Sequence, residues 1–313
     1  MKLFWILLGI ALVLLAAVLI ISYICFRMAF YVPKRKGPPS DALDFPKGSI
    51  YMQYREKISQ WILETRALPQ EVMTVTSFDG LKLYGNYYEY APGAPIELMF
   101  HGYRSTAERD LSGGVQRCFK LGRSALIVDQ RCCGRSEGKV ITFGINEHRD
   151  CLTWLAHMRN RFGEDVKVIL TGLSMGASTV MTAAGAEALP SNVIGVLADC
   201  GYTSAKDIIT KVIRDMKLPA GLAYPFVKLG ARLYGHFDLE ETSPVESLKH
   251  SKVPVIIIHG EDDDFVPCDM SRICYEVCSS EKRLVTVPGA GHGLSYPTDP
   301  QGYLDALRTF FKS

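Results

Sequence analysis

No C-x-x-C pair and no finger-like Cys–His spacing occurs in this sequence, although it holds nine cysteines. The scatter of Cys25, Cys118, Cys132, Cys133, Cys151, Cys200, Cys268, Cys274 and Cys278 lacks the density of a small disulfide scaffold. Cys274 and Cys278 lie one helical turn apart, but without a further ligand at a suitable spacing they read as buried free thiols rather than a metal pair. An excess of either charge is also missing: 35 Lys and Arg stand against 33 Asp and Glu, a net charge of +2. With no long charged tract, nucleic acid is not an expected partner. Internal repeats and low-complexity segments are absent too. Apolar residues, by contrast, are plentiful at 48% of 313 residues, enough for one large core.

Leu3 to Phe26 is an uncharged run of 24 residues. As a helix it extends roughly 36 Å at about 1.5 Å per residue, enough to cross a hydrocarbon core of about 30 Å with some tilt. A cleaved signal peptide has a shorter apolar region and a small-x-small site. Ser22-Tyr23-Ile24-Cys25 offers no such site, so residues 1–28 are expected to be an uncleaved, single-pass membrane anchor. Lys2 lies before the run and Arg27, Lys34, Arg35 and Lys36 lie after it. That distribution and the free thiols favour a cytoplasmic catalytic domain, although the membrane side is not fixed by them.

Residues 29–69 are expected to form a linker and an accessory helix. Pro33, Pro38, Pro39 and Pro46 with Gly37 and Gly48 make 33–48 an extended connection. Tyr54, Ile58, Trp61 and Ile62 give Ile50 to Ala67 a helical period. Val72–Thr76 and Leu81–Tyr88, separated by Asp79-Gly80, read as a β-hairpin. From Ile96 short apolar runs alternate with helical stretches, the signature of a parallel sheet covered on both faces. The runs are Ile96–Phe100, Ser124–Val128, Val166–Leu170, Val193–Ala198, Val253–Ile258 and Leu284–Val287. Cys151, Leu155, Met158 and Phe162 mark one intervening amphipathic helix; the last helix is expected at about Gln301 to Phe311. Thr203 to Ser251 contains no convincing strand and reads as a small helical cap. Its apolar stretch Leu218–Phe237, placed over the site, would wall an acyl pocket.

Gly172-Leu173-Ser174-Met175-Gly176 follows one of these strands and opens a helix expected over Ala177 to Ala188. This is G-x-S-x-G in a strand–turn–helix context, where the serine is presented on a sharp turn at a helix N-terminus. A serine hydroxyl needs a base, and the base needs an orienting carboxylate. Asp262, Asp263 and Asp264 follow the strand that ends near His259, while His292 lies in a glycine-rich loop after the next strand. His101 and His259 close strands and read as structural; His148, His157, His236 and His250 look like surface positions. Asp199, at the end of another strand, is an alternative acid.

Taken together, His101-Gly102-Tyr103, Asp129-Gln130-Arg131 with Gly134-Arg135-Ser136, the serine elbow, His259-Gly260-x-x-Asp263-x-x-Val266-Pro267 and Gly291-His292-Gly293 resemble the α/β-hydrolase superfamily. The likeness covers about residues 70–312 and is to its serine aminopeptidase-like, monoglyceride-lipase-like and lysophospholipase-like members. It implies an α/β-hydrolase fold over 70–313, a mostly parallel sheet with helices on both faces, with a helical cap at about 203–251. It also selects Asp263 from the three adjacent carboxylates, completing Ser174, Asp263 and His292 in the order such enzymes use. The implied oxyanion hole is made of the backbone N–H groups of Tyr103 and Met175. Cys132-Cys133 replace the glycine and histidine usual in the loop after Asp129, which puts any role of that histidine in doubt.

The expected activity is therefore serine-dependent hydrolysis of an acyl ester, with lipid-derived esters favoured by the anchor. The same residues fit acyl transfer, a peptidase, a thioesterase, or a silent membrane-tethered binding protein. No cofactor or metal is implied, and the sequence leaves the oligomeric state open. Beyond the anchor the chain is expected to be soluble and active when begun near Ser40.

Overall fold

In chain order the strands of the computed structural model are β1 (Glu71–Thr76), β2 (Lys82–Tyr88), β3 (Ile96–Phe100), β4 (Ser124–Asp129), β5 (Val168–Leu173), β6 (Val193–Asp199), β7 (Val255–Gly260) and β8 (Lys282–Val287). Helices α1 (Lys2–Ala29), α2 (Ser49–Met52) and α3 (Arg55–Ala67) precede the sheet; α4 (Ala107–Lys120), α5 (Glu147–Phe162) and α6 (Met175–Ala184) lie between its central strands. The segment between β6 and β7 carries α7 (Ala205–Asp215), α8 (Ala220–Tyr234) and α9 (Pro244–Leu248). The chain closes with α10 (Cys268–Val277), α11 (Ser295–Thr298) and α12 (Pro300–Phe311). The structure describes residues 1–33, 43–46 and 48–312, so most of the proline-rich linker expected at 33–48, with Lys34, Arg35 and Lys36, lies outside the described residues.

One sheet forms in the order β1-β2-β4-β3-β5-β6-β7-β8. The β1–β2 hairpin and the β2–β4 pair are antiparallel, and every pair from β4 to β8 is parallel. Residues of β3, β4, β5 and β7 are buried almost throughout, as continuous apolar runs between two helical layers must be. From β3 the chain crosses to β4 on one side and then returns to place β5 on the other. The loops leaving β3 and β5 therefore diverge, and open α/β sheets bind ligands in such a crevice.

Element edges differ from the sequence expectation for local reasons. β7 starts at Val255 because Pro254 has no N–H to give the ladder. The helix expected over residues 50–67 is two pieces, α2 and α3, and the break turns the Tyr51 hydroxyl towards the loop of His292, whose carbonyl accepts from it at 3.1 Å. α6 ends four residues early, where Gly185 lies against the Ser247 backbone so closely that a Cβ would meet its carbonyl oxygen at 2.1 Å.

α1, 28 residues long and strongly apolar, is long and apolar enough to cross a membrane. Its last turns, however, are not a free tether. Phe26 and Phe30 are buried in a cluster with Ile141, Ile145, Tyr224, Val227 and Phe237. Gly230 of α8 crosses the helix where an added Cβ would stand 2.4 Å from the Ser22 carbonyl oxygen. After α1 the backbone joins the body: Ile141 donates to Phe30 O at 2.9 Å and Val32 to Lys139 O at 2.8 Å. A chain begun at Ser40 would lose this packing, contrary to the sequence expectation of a separable anchor.

Below the crevice, Glu97 of β3 is fully buried. It pairs with Arg117 of α4 and with Arg123 at 2.8 Å, and accepts from Thr171 of β5 at 2.9 Å. Burial raises its pKa, but the two guanidinium charges prevail and hold it at about 2, below its ordinary 4.5. A depressed carboxylate adds stability above its unfolded pKa and loses it as pH falls. Glu97→Gln is expected to cost roughly 3–5 kcal/mol by breaking a buried pair. Urea unfolding of the full-length chain at a series of pH values checks this. The variant should also lose the wild type's decline in stability between pH 4.5 and about 2, and an unchanged midpoint would refute the role given to the pair.

Candidate active site

β5 ends in a turn too tight for side chains two residues before and two residues after Ser174. A Cβ on Gly172 would lie 2.1 Å from the Gly176 carbonyl oxygen, and one on Gly176 would lie 2.0 Å from that of Phe100. Ser174 itself takes φ 56°, a strained value for a residue with a Cβ. The strain is local to the turn that lifts its hydroxyl out of the strand end at the start of α6.

His292 comes from the loop after β8. Its Nε2 is 2.9 Å from Ser174 Oγ and its Nδ1 is 2.7 Å from Asp263 Oδ2. A neutral ring with the proton on Nδ1 donates to the carboxylate and leaves Nε2 free to accept from the serine. Asp263 sits in the loop after β7, and its Oδ1 accepts from the amides of Phe265 at 3.0 Å and Val266 at 2.8 Å. Burial raises its pKa, yet hydrogen bonds from His259 and His292 hold the carboxyl well below the usual range, so it is ionised. Asp262 and Asp264 are exposed.

His259 was read from sequence as a strand-closing residue, and the structure gives it a second task. It is fully buried, with Nε2 3.2 Å from Asp263 Oδ2 and 2.8 Å from Val266 O. Both neighbours are acceptors, so Nε2 carries the proton and Nδ1 accepts from Ser271 Oγ at 2.6 Å. The four-residue separation of His259 and Asp263 across one turn was the available signal. His148 departs from the surface reading, being half-buried with Nδ1 3.0 Å from Gly144 O. Asp199 is buried under hydrogen bonds from Ser295 at 2.9 Å and Tyr303 at 3.1 Å, and neither partner is His292.

The loop leaving β3 is braced from several sides. Gln130 N–H donates to His101 Nε2 at 3.0 Å, and His101 Nδ1 lies 2.7 Å from Gly102 O. Gly102 N–H donates to Asp110 Oδ2 at 2.9 Å. The next amide, Tyr103, and that of Met175 donate no backbone hydrogen bond among the described residues. Gly102 lies close by: a Cβ there would be 3.6 Å from Ser174 Cβ.

A cavity of about 490 Å³ opens beside Ser174 and His292, with an apolar wall of Ile50, Ile58, Trp61, Met99, Leu111 and Leu294. No residue of 203–251 lines it among the described residues, so the expected acyl wall at Leu218–Phe237 is corrected. α8 directs its apolar face at Phe26 of α1 instead, and the accessory segment α2–α3 covers the cavity. Cys200 has its Sγ within 4.8 Å of ligand atoms of Asp263 and His292. Its thiol is pushed well above its ordinary pKa by burial, and the other two groups already bond each other. Cys132 and Cys133 are free thiols, both raised by burial, Cys133 to about 12.

A model of the Alpha/beta hydrolase family matches residues 98–306. The chain belongs to that family. It is 27% identical to the protein YqkD of Bacillus subtilis (strain 168) over 191 residues, 61% of this chain and 62% of that one. The match thus spans less than two thirds of that relative. It is 23% identical over 278 residues to a bifunctional esterase/perhydrolase, DCH, of Acinetobacter calcoaceticus, covering 70% of this chain and 92% of that protein. A solved esterase of Pyrococcus furiosus superposes with a TM-score of 0.66 at 20% identity, over 91% of this chain and 97% of that one, and so shares the fold.

In this alpha/beta hydrolase His259 fixes the second oxygen of Asp263 from below. His259→Ala leaves Ser271, Val266 O and one face of the carboxylate unmatched, at roughly 1–3 kcal/mol for each buried group. The exposed change Asp262→Ala should stay within about 0.5 kcal/mol of wild type. Chemical denaturation of the two variants decides it; equal stability would remove His259 from this support.

Proposed function

We propose that this chain is a membrane-anchored serine hydrolase that cleaves carboxylic esters through an acyl-enzyme on Ser174. The observation that carries the reading is the continuous relay from Ser174 Oγ through His292 to Asp263, at 2.9 and 2.7 Å. Ser174 Oγ attacks the ester carbonyl carbon while His292 Nε2 takes its proton. The carbonyl oxygen becomes an oxyanion facing the unengaged amides of Tyr103 and Met175. As the tetrahedral carbon collapses, the imidazolium gives its proton to the leaving alkoxide, which departs as an alcohol. Water then adds to the acyl-serine carbonyl with His292 again as base, releasing the acid and restoring Ser174. Asp263 stays ionised and holds the imidazole in the accepting tautomer.

Two features support an ester with an apolar acyl part. The wall of Ile50, Ile58, Trp61 and Leu111 favours hydrocarbon, and α1 would hold the site near lipid. The esterases similar to this chain fit the same class. The basic residues after α1 favour the cytoplasmic side for the catalytic body.

Ser174→Ala is expected to abolish both ester turnover and labelling by a fluorophosphonate probe, a loss of several orders of magnitude, with the fold retained. Asp263→Asn should lower kcat far more than Asp262→Asn, Asp264→Asn or Asp199→Asn. If Asp199→Asn is the damaging change, the acid has been placed on the wrong strand. For the anchor, the native chain should stay in the membrane fraction through a carbonate wash. Mass spectrometry finding a mature N-terminus beyond Phe26 would mean cleavage and end the anchor reading.

A further inference from the structure

The last turn of α1 ends against the loop that leaves β3. A helix C-terminus exposes carbonyls that need partners, and two of them are met by side chains of consecutive residues of that loop. The Tyr103 hydroxyl donates to Ala29 O at 2.6 Å. The Arg104 guanidinium donates to Met28 O at 2.8 Å and to Tyr31 O at 3.1 Å. A cation there also suits the negative end of the helix dipole. The Tyr103 ring packs on Phe143 with centroids 5.1 Å apart, and Phe143 meets Phe30 at 5.7 Å. Met175, the residue after Ser174, lies in the same apolar cluster as Phe26 and Phe30. The side chains behind both free amides thus touch one body of packing whose outer wall is the end of α1. Arg104 itself stands at φ 52°, so the loop has little latitude to relax.

We propose that the membrane helix acts as a positioning element of the active site: Tyr103 and Arg104, by capping its C-terminus, set the place of the Tyr103 amide in the oxyanion hole. This rests on the hydrolase reading above, and on it membrane attachment and catalytic geometry form one mechanical unit. A donor displaced rather than removed costs less than the 10²–10³-fold of outright deletion, so about tenfold is expected in kcat. Tyr103 also borders the cavity, but Tyr103→Phe keeps its ring and the apolar wall of α2–α3 is untouched, so KM should stay within about twofold.

The test uses the full-length chain in lipid nanodiscs with a chromogenic acyl ester. Tyr103→Phe and Arg104→Ala should each lower kcat by about tenfold at near-constant KM, and Arg104→Lys, which keeps a donor, should recover part of the loss. Affinity for a trifluoromethyl ketone, whose adduct places an oxyanion in the hole, should fall by the same factor as kcat. Tyr234→Phe is the matched control. It removes another tyrosine hydroxyl bonded to an α1 carbonyl, that of Leu19 at 3.1 Å, but on α8 and away from the loop. It should leave kcat and inhibitor affinity unchanged. Wild-type kcat and inhibitor affinity in Tyr103→Phe and Arg104→Ala would overturn the proposal, as would an equal loss in Tyr234→Phe, which would make the effect one of general packing. Persisting turnover in Ser174→Ala would instead remove the hydrolase reading itself.

Discussion

Where α6 begins, the backbone of Gly176 lies against the end of β3 with no room for a side chain between them; a Cβ would come within 2.0 Å of Phe100 O. Much of the site's geometry follows from this contact. It forces the chain to turn within one residue, which puts Ser174 at φ 56°. It also brings the start of α6 beside the loop leaving β3, so that the amides of residues 103 and 175 border one space. β3 and β5 can be neighbours here because β4 was laid down on the other side of β3, which separates the two departing loops. The topology opens the crevice, and the glycine contact decides how closely its two walls approach.

Around that contact the structure supplies hydrogen-bonded support from several sides. Glu97 ties β3 to α4 and to Thr171 of β5 from below. Asp110 accepts from the Gly102 amide, whereas the next amide, that of Tyr103, donates no backbone hydrogen bond among the described residues. Asp263 is held by two backbone amides on one oxygen and by His259 and His292 on the other. Each of these residues acts by satisfying a neighbour, which fixes geometry more tightly than packing alone because hydrogen bonds are directional.

The elbow and the run of strands from Ile96 onwards were legible because each has a strong local signature: two glycines at fixed spacing around a serine, and short apolar runs between helical stretches. His292 was legible because it stands in a loop of glycines with no apolar face to serve. What the sequence did not reveal is which apolar surfaces meet. Phe26 reads like the end of a lipid-facing run, yet it is buried in one cluster with Phe30, Phe237 and Ile141. The stretch Leu218–Phe237 reads as a pocket wall because its composition suits one, but Gly230 marks it as a helix that closes on a neighbouring backbone. Composition tells that a face is buried and not against what. The accessory helix suffered the same ambiguity, since Ile58 and Trp61 fit a core contact as well as a cavity wall.

That exchange of partners has a consequence for how the site is closed. With α8 turned towards α1, the cavity beside Ser174 is covered by α2 and α3, which follow α1 in the sequence. Both segments that border the reactive groups, the end of α1 behind Tyr103 and the α2–α3 cover over His292, therefore come from the amino-terminal 70 residues rather than from the insertion between β6 and β7. Tyr51 shows how direct the second of these contacts is, its hydroxyl donating to the carbonyl of His292 itself. A displacement of α1 relative to the body would disturb its packing on α8 and the bond from Ile141 to Phe30 O as well as the Tyr103–Arg104 cap.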